Sequence, residues 1–289
     1  IRDSYMDRRT AGAIERVLQR MSREEIFDYT GLQFLELNTL FQLYVMVESQ
    51  HPWLASAETL LTMPNLFMFM LAGVKVAEYT HASTTQLLDA RTRQWADPLF
   101  DKLGLPRQIM PEVIPPGTVV GRLLDWIGEE TGAGRIPVIA TATHDTASAV
   151  AAVPAQQHSR WCYISSGTWA LMGIEAPQPV VDERVLHFNF TNEGGVGGTI
   201  RLLKNICGLW LVQECRRIWN QAGKNWDWED LNKLSAAAKP LQCFVDPDAP
   251  DFLAPQDMPR AICEFARKTG QPVPEDEGAV LRCALESLA

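Results

Sequence analysis

The sequence predicts an α/β protein of two domains, and three observations carry that prediction. Residues Ile136 to Trp169 read as strand, helix, strand: a short β-branched apolar run at Ile136–Ala140, small Ala and Ser residues from Ala147 to Ala152, and a second apolar run at Trp161–Ile164. On either side, segments with apolar residues at helical spacing alternate with short runs of strand length. At 289 residues and 46% hydrophobic content, the chain is long enough to bury two sizeable cores.

In chain order, residues 3–22 open on DSYMDRRT, where Asp7 and Arg9 are placed to pair or cap, and continue as a helix through Ile14, Val17, Leu18 and Met21. Ser22 with Glu25 three residues on is a capping box that opens a second helix, and Gly31 ends it. Leu37, Leu40, Phe41 and Tyr44 mark a helix that starts at Asn38-Thr39 and is stopped by His51-Pro52. Leu60–Thr62 reads as a short strand and Leu66–Leu71 as a short helix closed by Gly73. A Thr-rich connection leads to a strand-like Gln86–Leu88, a turn at Asp89 and a helix opening at Trp95. An irregular link from Pro106 through Pro111–Gly117 precedes a strand at Val119–Leu123. Beyond Trp169, the sequence predicts a break at Pro177–Pro179, a strand at His187–Thr191, a flexible turn at Gly194–Gly198 and one long amphipathic helix over Leu202–Trp219. Helices at 226–234, 260–268 and from 275 onward complete the chain, around a Pro/Asp loop at 246–259. Pro154-Ala155-Gln156-Gln157 is the expected boundary between domains 1–153 and 154–289.

Bulk properties exclude several functions. With 26 Lys and Arg against 35 Asp and Glu the net charge is -9, and no basic run exists, so nucleic acid is not the expected partner. The longest apolar stretch, Leu60–Val76, contains Pro64, Asn65 and Lys75 and is too interrupted to span a bilayer. The six cysteines, Cys162, Cys207, Cys215, Cys243, Cys263 and Cys283, are scattered without a C-x-x-C pair, so no metal site is expected of them and free thiols in a reducing cytosol are the default. Asn189-Phe190-Thr191 is a glycosylation triplet of consequence only in a secreted chain. The chain opens at Ile1 without an initiator Met and stops inside the helix-like Ala279–Ala289, so it reads as an internal fragment of a longer, cytoplasmic protein.

The chemistry concentrates where the first strand of the Ile136–Trp169 unit meets its helix, in Thr141, Thr143, His144, Asp145 and Thr146. A carboxylate at a strand-to-helix junction is held by rigid neighbours and still faces outward, which suits a general base; an N-cap role for Asp145 competes with that reading. Ser165-Ser166-Gly167-Thr168, between two apolar runs, reads as a hairpin corner. There Gly167 admits close backbone approach to a ligand, and hydroxyls and amides offer donors to an anion; a plain hairpin turn is the alternative. Asn205 and Gln213, eight residues apart on the predicted helix, project at similar angles, either as ligand contacts or satisfied by neighbouring backbone. Gly132–Arg135 carries no Walker-type Gly-Lys-Ser, and Gly194–Gly198 lacks the spacing of a dinucleotide fingerprint.

The segments DSYMDRRT, GLQFLELNTLFQL, TMPNLFMFMLAG, EYTHASTTQLLD, ATATHDTASAV, YISSGTW, TNEGG and LLKNICGLWLVQE occur in an order that resembles the FGGY carbohydrate kinases over essentially the whole chain. Within the family they are most similar to the branch that acts on L-rhamnulose; His144-Asp145-Thr146, Ser-Ser-Gly-Thr-Trp and Lys-Asn-Ile-x-Gly-Leu-Trp are specific to it. The resemblance implies an actin/hexokinase-like (ribonuclease H-like) fold whose two α/β domains clasp sugar and ATP, with transfer of the γ-phosphoryl of MgATP to the 1-hydroxyl of L-rhamnulose. It makes Asp145 the proton acceptor, His144, Thr146 and Asn205 sugar contacts alongside Asp145, and Thr168, Gly167 and Gln213 contacts to ATP; Mg²⁺ arrives with the nucleotide. Two departures stand out. Met6 occupies a position usually held by Arg, and the family's N-terminal phosphate hairpin and C-terminal Gly-rich adenine loop are absent from these 289 residues. The fragment alone is therefore expected to turn over little or no ATP, as a monomer or a dimer.

Three alternatives remain open at this stage. One is a kinase of the same family acting on another ketose such as fuculose or xylulose, chosen by pocket hydrogen bonds and not by the base. The second is a non-catalytic sugar-binding remnant. The third, a hydrolase using His144 and Asp145 as an acid/base pair, is disfavoured because adjacent residues on extended backbone point to opposite faces.

Overall fold

Short-range chemistry sets the first helices. The structure, a computed structural model, describes residues 8–155, 161–252 and 255–289; Met6, Asp7 and the Gln156-Gln157 part of the expected boundary lie outside the described residues. After a 3-10 turn at Arg8–Thr10, α1 spans Ala13–Leu18 and α2 spans Arg23–Thr30. The Ser22 hydroxyl accepts from the Glu25 amide at 3.1 Å, and Gly31 closes α2 at φ 60°, as the capping box predicts. Helix α3 covers Thr39–Glu48, α4 Pro52–Ala55 and α5 Met63–Ala72, the last ended by Gly73. Leu60–Thr62 is not a strand. Among the described residues its backbone bonds are Leu60 N–H to Ile109 C=O and Leu66 N–H to Thr62 C=O, both at 2.8 Å; the second belongs to the start of α5, and one cross-chain bond is too little to make a ladder.

The next segment carries two-residue strands that no periodicity reveals. Strand β1, Ala77–Glu78, pairs in parallel with β2, Val113–Ile114, and α6, Tyr79–Ala82, follows β1 directly. Gln86–Leu88 also departs from its strand-like reading. Gln86 adopts φ 62°, which breaks extension, and Leu88 makes only an isolated bridge to Trp95 across the Asp89 turn. Helix α7, Asp97–Leu103, starts just after Trp95.

Strand β3, Val119–Arg122, and strand β4, Pro137–Ile139, form an antiparallel pair with α8, Asp125–Thr131, between them. The Ile136–Ala140 run is thus a strand, but not the buried one the sequence suggests: Ile136 is 52% and Ile139 49% exposed. The pair has only two strands, and its inward side chains, with Ala140 and Val120, pack on Met68, Val76 and Ile114 while the alternate ones face out. Helix α9, Asp145–Ala151, follows.

The remaining strands are β5, Tyr163–Ser166, β6, Trp169–Ala176, β7, Thr191–Gly194, and β8, Ile200–Cys207, in sheet order β5-β6-β8-β7. Two sequence expectations are corrected here. His187–Thr191 is the end of α10, Glu183–His187, followed by a turn, because the Asp182 carboxylate caps that helix through the Arg184 and Val185 amides, both at 2.9 Å; the strand begins at Thr191. Leu202–Trp219 is not one helix. Its first part is β8, drawn into the antiparallel ladder Thr191↔Leu203 to Gly194↔Ile200, and only α11, Trp210–Gln221, is helical. Pairing with β7 along residues 200–203, with β6 as the neighbour on the other edge of β8, overrides an apolar pattern compatible with either state.

The chain folds into two units, one of Ile1–Tyr163 and Gly173–Lys204, the other of Ile164–Met172 and Asn205–Ala289, and passes between them within β5, β6 and β8. The core of the first is built on Val17, Ile26, Leu40, Phe41, Leu87, Leu99, Phe100 and Leu103. In the second, α11 packs with α12, Trp228–Ala237, α13, Met258–Lys268, and α14, Glu277–Ser287, around Leu211, Cys215, Phe252, Met258, Ile262 and Leu281. Asp227, Asp257 and Asp276 cap the last three helices. All six cysteines are free thiols. Among the described residues no helix is long and apolar enough to cross a membrane.

Candidate functional site

Asp145 is the first residue of α9, not its cap: His144 occupies the cap position and makes no side-chain cap bond. The Asp145 carboxylate accepts from the Thr146 amide at 2.7 Å, and its side chain is fully exposed. A short, satisfied carboxylate at the positive end of a helix, open on its outer side, is suited to hold a proton acceptor in one orientation. Thr146 is buried, its hydroxyl 3.4 Å from the same carboxylate oxygen.

The backbone leading into Asp145 is anchored from below by a residue the sequence did not single out. Glu78, at the end of β1 and with no exposed surface, accepts at Oε2 from the Thr143 amide at 3.0 Å and the Thr143 hydroxyl at 2.7 Å. Its neighbour Thr80 accepts at its hydroxyl from the His144 amide at 3.2 Å. The available signal was a lone carboxylate placed directly after the apolar Val76-Ala77, where an unpaired charge is costly.

His144 lies between carboxylates. Nδ1 is 3.7 Å from Asp145 Oδ1 and Nε2 is 3.9 Å from Glu193 Oε2, and the His81 ring sits 6.2 Å away at 70°. Burial pushes both imidazoles below their ordinary value, with the nearby carboxylates opposing that shift. His144 is therefore neutral near pH 7 and offers one donor and one acceptor. Behind it Glu193 is paired with Arg201 at 2.9 Å, both buried, and Arg201 Nε donates to the Gly194 carbonyl at 3.1 Å. Burial also holds the adjacent Tyr163 hydroxyl protonated, pushed up to about 12. Glu193 belongs to the TNEGG motif, but its partner Arg201 falls between the expected turn at Gly194–Gly198 and the expected helix from Leu202, in a stretch the sequence leaves unassigned.

The second unit gathers a different group. Gly167 and Thr168 form the corner between β5 and β6, and the corner is docked on the start of α11. Leu209 N–H donates to the Gly167 carbonyl at 2.9 Å, and Gly208 N–H and Trp210 N–H donate to the Thr168 carbonyl at 3.2 and 3.1 Å. Two of the amides that helix α11 leaves unpaired at its start are used in this way. The exposed Thr168 hydroxyl donates to Gln213 Oε1 at 3.2 Å, so the corner threonine and the α11 glutamine form one polar pair. Asn205 is half-buried on β8, so it does not share a helix face with Gln213. Asp145, His144 and Thr146 thus lie together in one unit, and Gly167, Thr168 and Gln213 together in the other, which also holds Asn205. Among the described residues no group of three or more His, Cys, Asp or Glu side chains is placed to hold a metal.

Comparison with known proteins gives these clusters a context. A rhamnulokinase from Bacteroides thetaiotaomicron is 44% identical over 286 residues, covering 99% of this chain and 58% of the relative. One from Pectobacterium atrosepticum is 43% identical over 289 residues, covering 99% and 56%. The chain therefore spans a little over half the length of the curated relatives it matches. Among solved structures, a ligand-bound xylulose kinase from Lactobacillus acidophilus superposes with a TM-score of 0.72 at 15% identity, over 99% of this chain and 57% of that one. Plasmodium falciparum glycerol kinase with ADP gives 0.69 at 13%, over 98% and 56%. These likenesses show the actin/hexokinase-like fold. Residues 4–152 match the N-terminal domain, and residues 162–289 the C-terminal domain, of one family: the chain belongs to the FGGY family of carbohydrate kinases.

Proposed function

We propose that the protein transfers the γ-phosphoryl of MgATP to the 1-hydroxyl of L-rhamnulose. The observation that carries this reading is a fully exposed carboxylate, Asp145, held at the start of α9 in a chain 44% identical to a rhamnulokinase. Asp145 takes the hydroxyl proton as the sugar oxygen bonds to the γ-phosphorus and the bond to the departing ADP oxygen breaks. Neutral His144, together with Thr146 and Asn205, supplies hydrogen bonds to the sugar hydroxyls. Thr168, Gly167 and Gln213 contact the ATP phosphates. Magnesium would enter as part of the nucleotide substrate and neutralise phosphate charge there.

The same reading assigns sugar binding to residues 1–153 and nucleotide binding to 154–289, in a cytoplasmic enzyme. Because the chain covers 58% of its B. thetaiotaomicron relative, the 289 residues by themselves are expected to release little ADP. The test is ADP release by the full-length protein with L-rhamnulose, against fuculose and xylulose, for the native sequence and for Asp145→Asn. Loss of a positioned base lowers the rate by about 10²–10⁴-fold. A near-native rate for Asp145→Asn removes Asp145 as the base, and preference for another ketose removes the substrate assignment.

A further inference from the structure

We infer that Glu78 is a positioning residue for the reaction, holding the Thr143-His144 backbone so that Asp145 presents its carboxylate in a single orientation; the inference rests on Asp145 being the proton acceptor. Glu78 has no exposed surface, yet among the described residues it takes part in no ion pair. Its charge is met instead by five hydrogen-bond donors. Oε1 accepts from the Thr80 amide at 2.8 Å. Oε2 accepts from the Thr80 hydroxyl at 2.6 Å, the His81 amide at 3.3 Å, and the Thr143 amide and hydroxyl at 3.0 and 2.7 Å. The backbone of Glu78 is itself fixed, since its amide donates to the buried Asn65 side-chain oxygen at 3.3 Å.

The geometry assigns these bonds a purpose beyond local stability. Capping α6 needs only the Thr80 and His81 amides. The remaining donors tie Glu78 to a segment 65 residues later, directly ahead of Asp145. The Thr143 amide is bonded to Glu78 itself. The next amide, His144, is bonded to the Thr80 hydroxyl, whose own proton is committed to Glu78 Oε2. Two successive peptide units before Asp145 are thereby locked to one carboxylate. Three of the five partners are backbone N–H groups, which can only donate, and between them they meet both carboxylate oxygens; the amide of a glutamine would turn an N–H₂ toward at least one of them. Displacement of the segment by a fraction of an ångström moves the Asp145 carboxylate with it, and catalysis by positioning is sensitive on that scale.

The test uses the full-length protein with L-rhamnulose and MgATP, and compares Glu78→Gln, Asp145→Asn and the double variant. Glu78→Gln is expected to lower kcat by about 100-fold, the loss a misplaced catalytic group produces, while KM for ATP stays unchanged. Because Glu78 acts only through Asp145, the double variant should be no slower than Asp145→Asn alone. A native kcat for Glu78→Gln, or a double variant slowed by the full product of the single effects, overturns the inference. Failure of Asp145→Asn to slow the reaction is read separately and rejects the base assignment itself. Should Glu78→Gln not fold, Thr143→Val removes one of the five donors and keeps the carboxylate; a reduced kcat with unchanged KM for ATP supports the inference, and native kinetics reject it.

Discussion

Glu193 and Arg201 face each other directly across β7 and β8 and form an ion pair of 2.9 Å, with side-chain exposures of 7% and 0%. Glu193 reaches from this pair toward His144, so the pair lies beneath the candidate sugar contact. Removing one member leaves an uncompensated buried charge, which costs far more than removing both. Glu193→Gln or Arg201→Met should each destabilise the protein by about 3–5 kcal/mol, and the double replacement by less than the sum. Denaturant unfolding of the three variants measures this; additive losses would show that the two charges do not interact.

Buried His81 and His144 give stability a pH dependence. Glu193, Asp145 and Glu78 favour their protonation, Arg201 opposes it, and burial prevails, so both titrate below the ordinary 6.5. Between the folded and unfolded values the unfolded chain binds more protons. Stability is then full above the unfolded value and falls as pH drops below it toward the folded value. Unfolding midpoints should decline from pH 7 to pH 5, and His144→Asn should flatten the decline. An equal slope in the variant would place the titration elsewhere.

Gly208 admits the hairpin corner to the start of α11. A Cβ there would lie 2.6 Å from the Gly167 carbonyl oxygen and 2.8 Å from the Ala170 nitrogen, both backbone atoms. Gly208→Ala must move the corner that carries Thr168. The expected result is a raised KM for ATP with sugar affinity retained, and a stability loss of about 1–3 kcal/mol. A KM for ATP equal to that of the native protein would remove the corner from the nucleotide site.

Ser22 is a local test of the helix signals. Its exposed hydroxyl accepts from the Glu25 amide. Ser22→Ala should cost about 1 kcal/mol, as loss of an N-cap does, with no change in kinetics. A loss of activity at constant stability would contradict a purely structural cap.

The candidate site was legible in part. Asp145, His144, Thr146, Gly167 and Thr168 stood out because they interrupt apolar runs at junctions where backbone direction changes. Glu78 did not, since its importance comes from Thr143 and His144, which are distant in sequence and near only in space. Arg201 was concealed for a related reason: it stands just ahead of the run expected to be helical from Leu202, and only the ladder with β7 sets it opposite Glu193.

Sequence alone determined what a few neighbouring residues can enforce: the start of α2 at Ser22, its end at Gly31, the end of α5 at Gly73 and the corner after Ser166. Caps and left-handed glycines act through bonds one turn long, so they are written in the local sequence. Tertiary structure alone decided that residues 200–207 form a strand, that the run around Ile139 has an open face, and that one buried carboxylate 67 positions before Asp145 holds the backbone that presents it. Those outcomes depend on partners far along the chain, whose approach is set by packing and by the need to satisfy every buried donor.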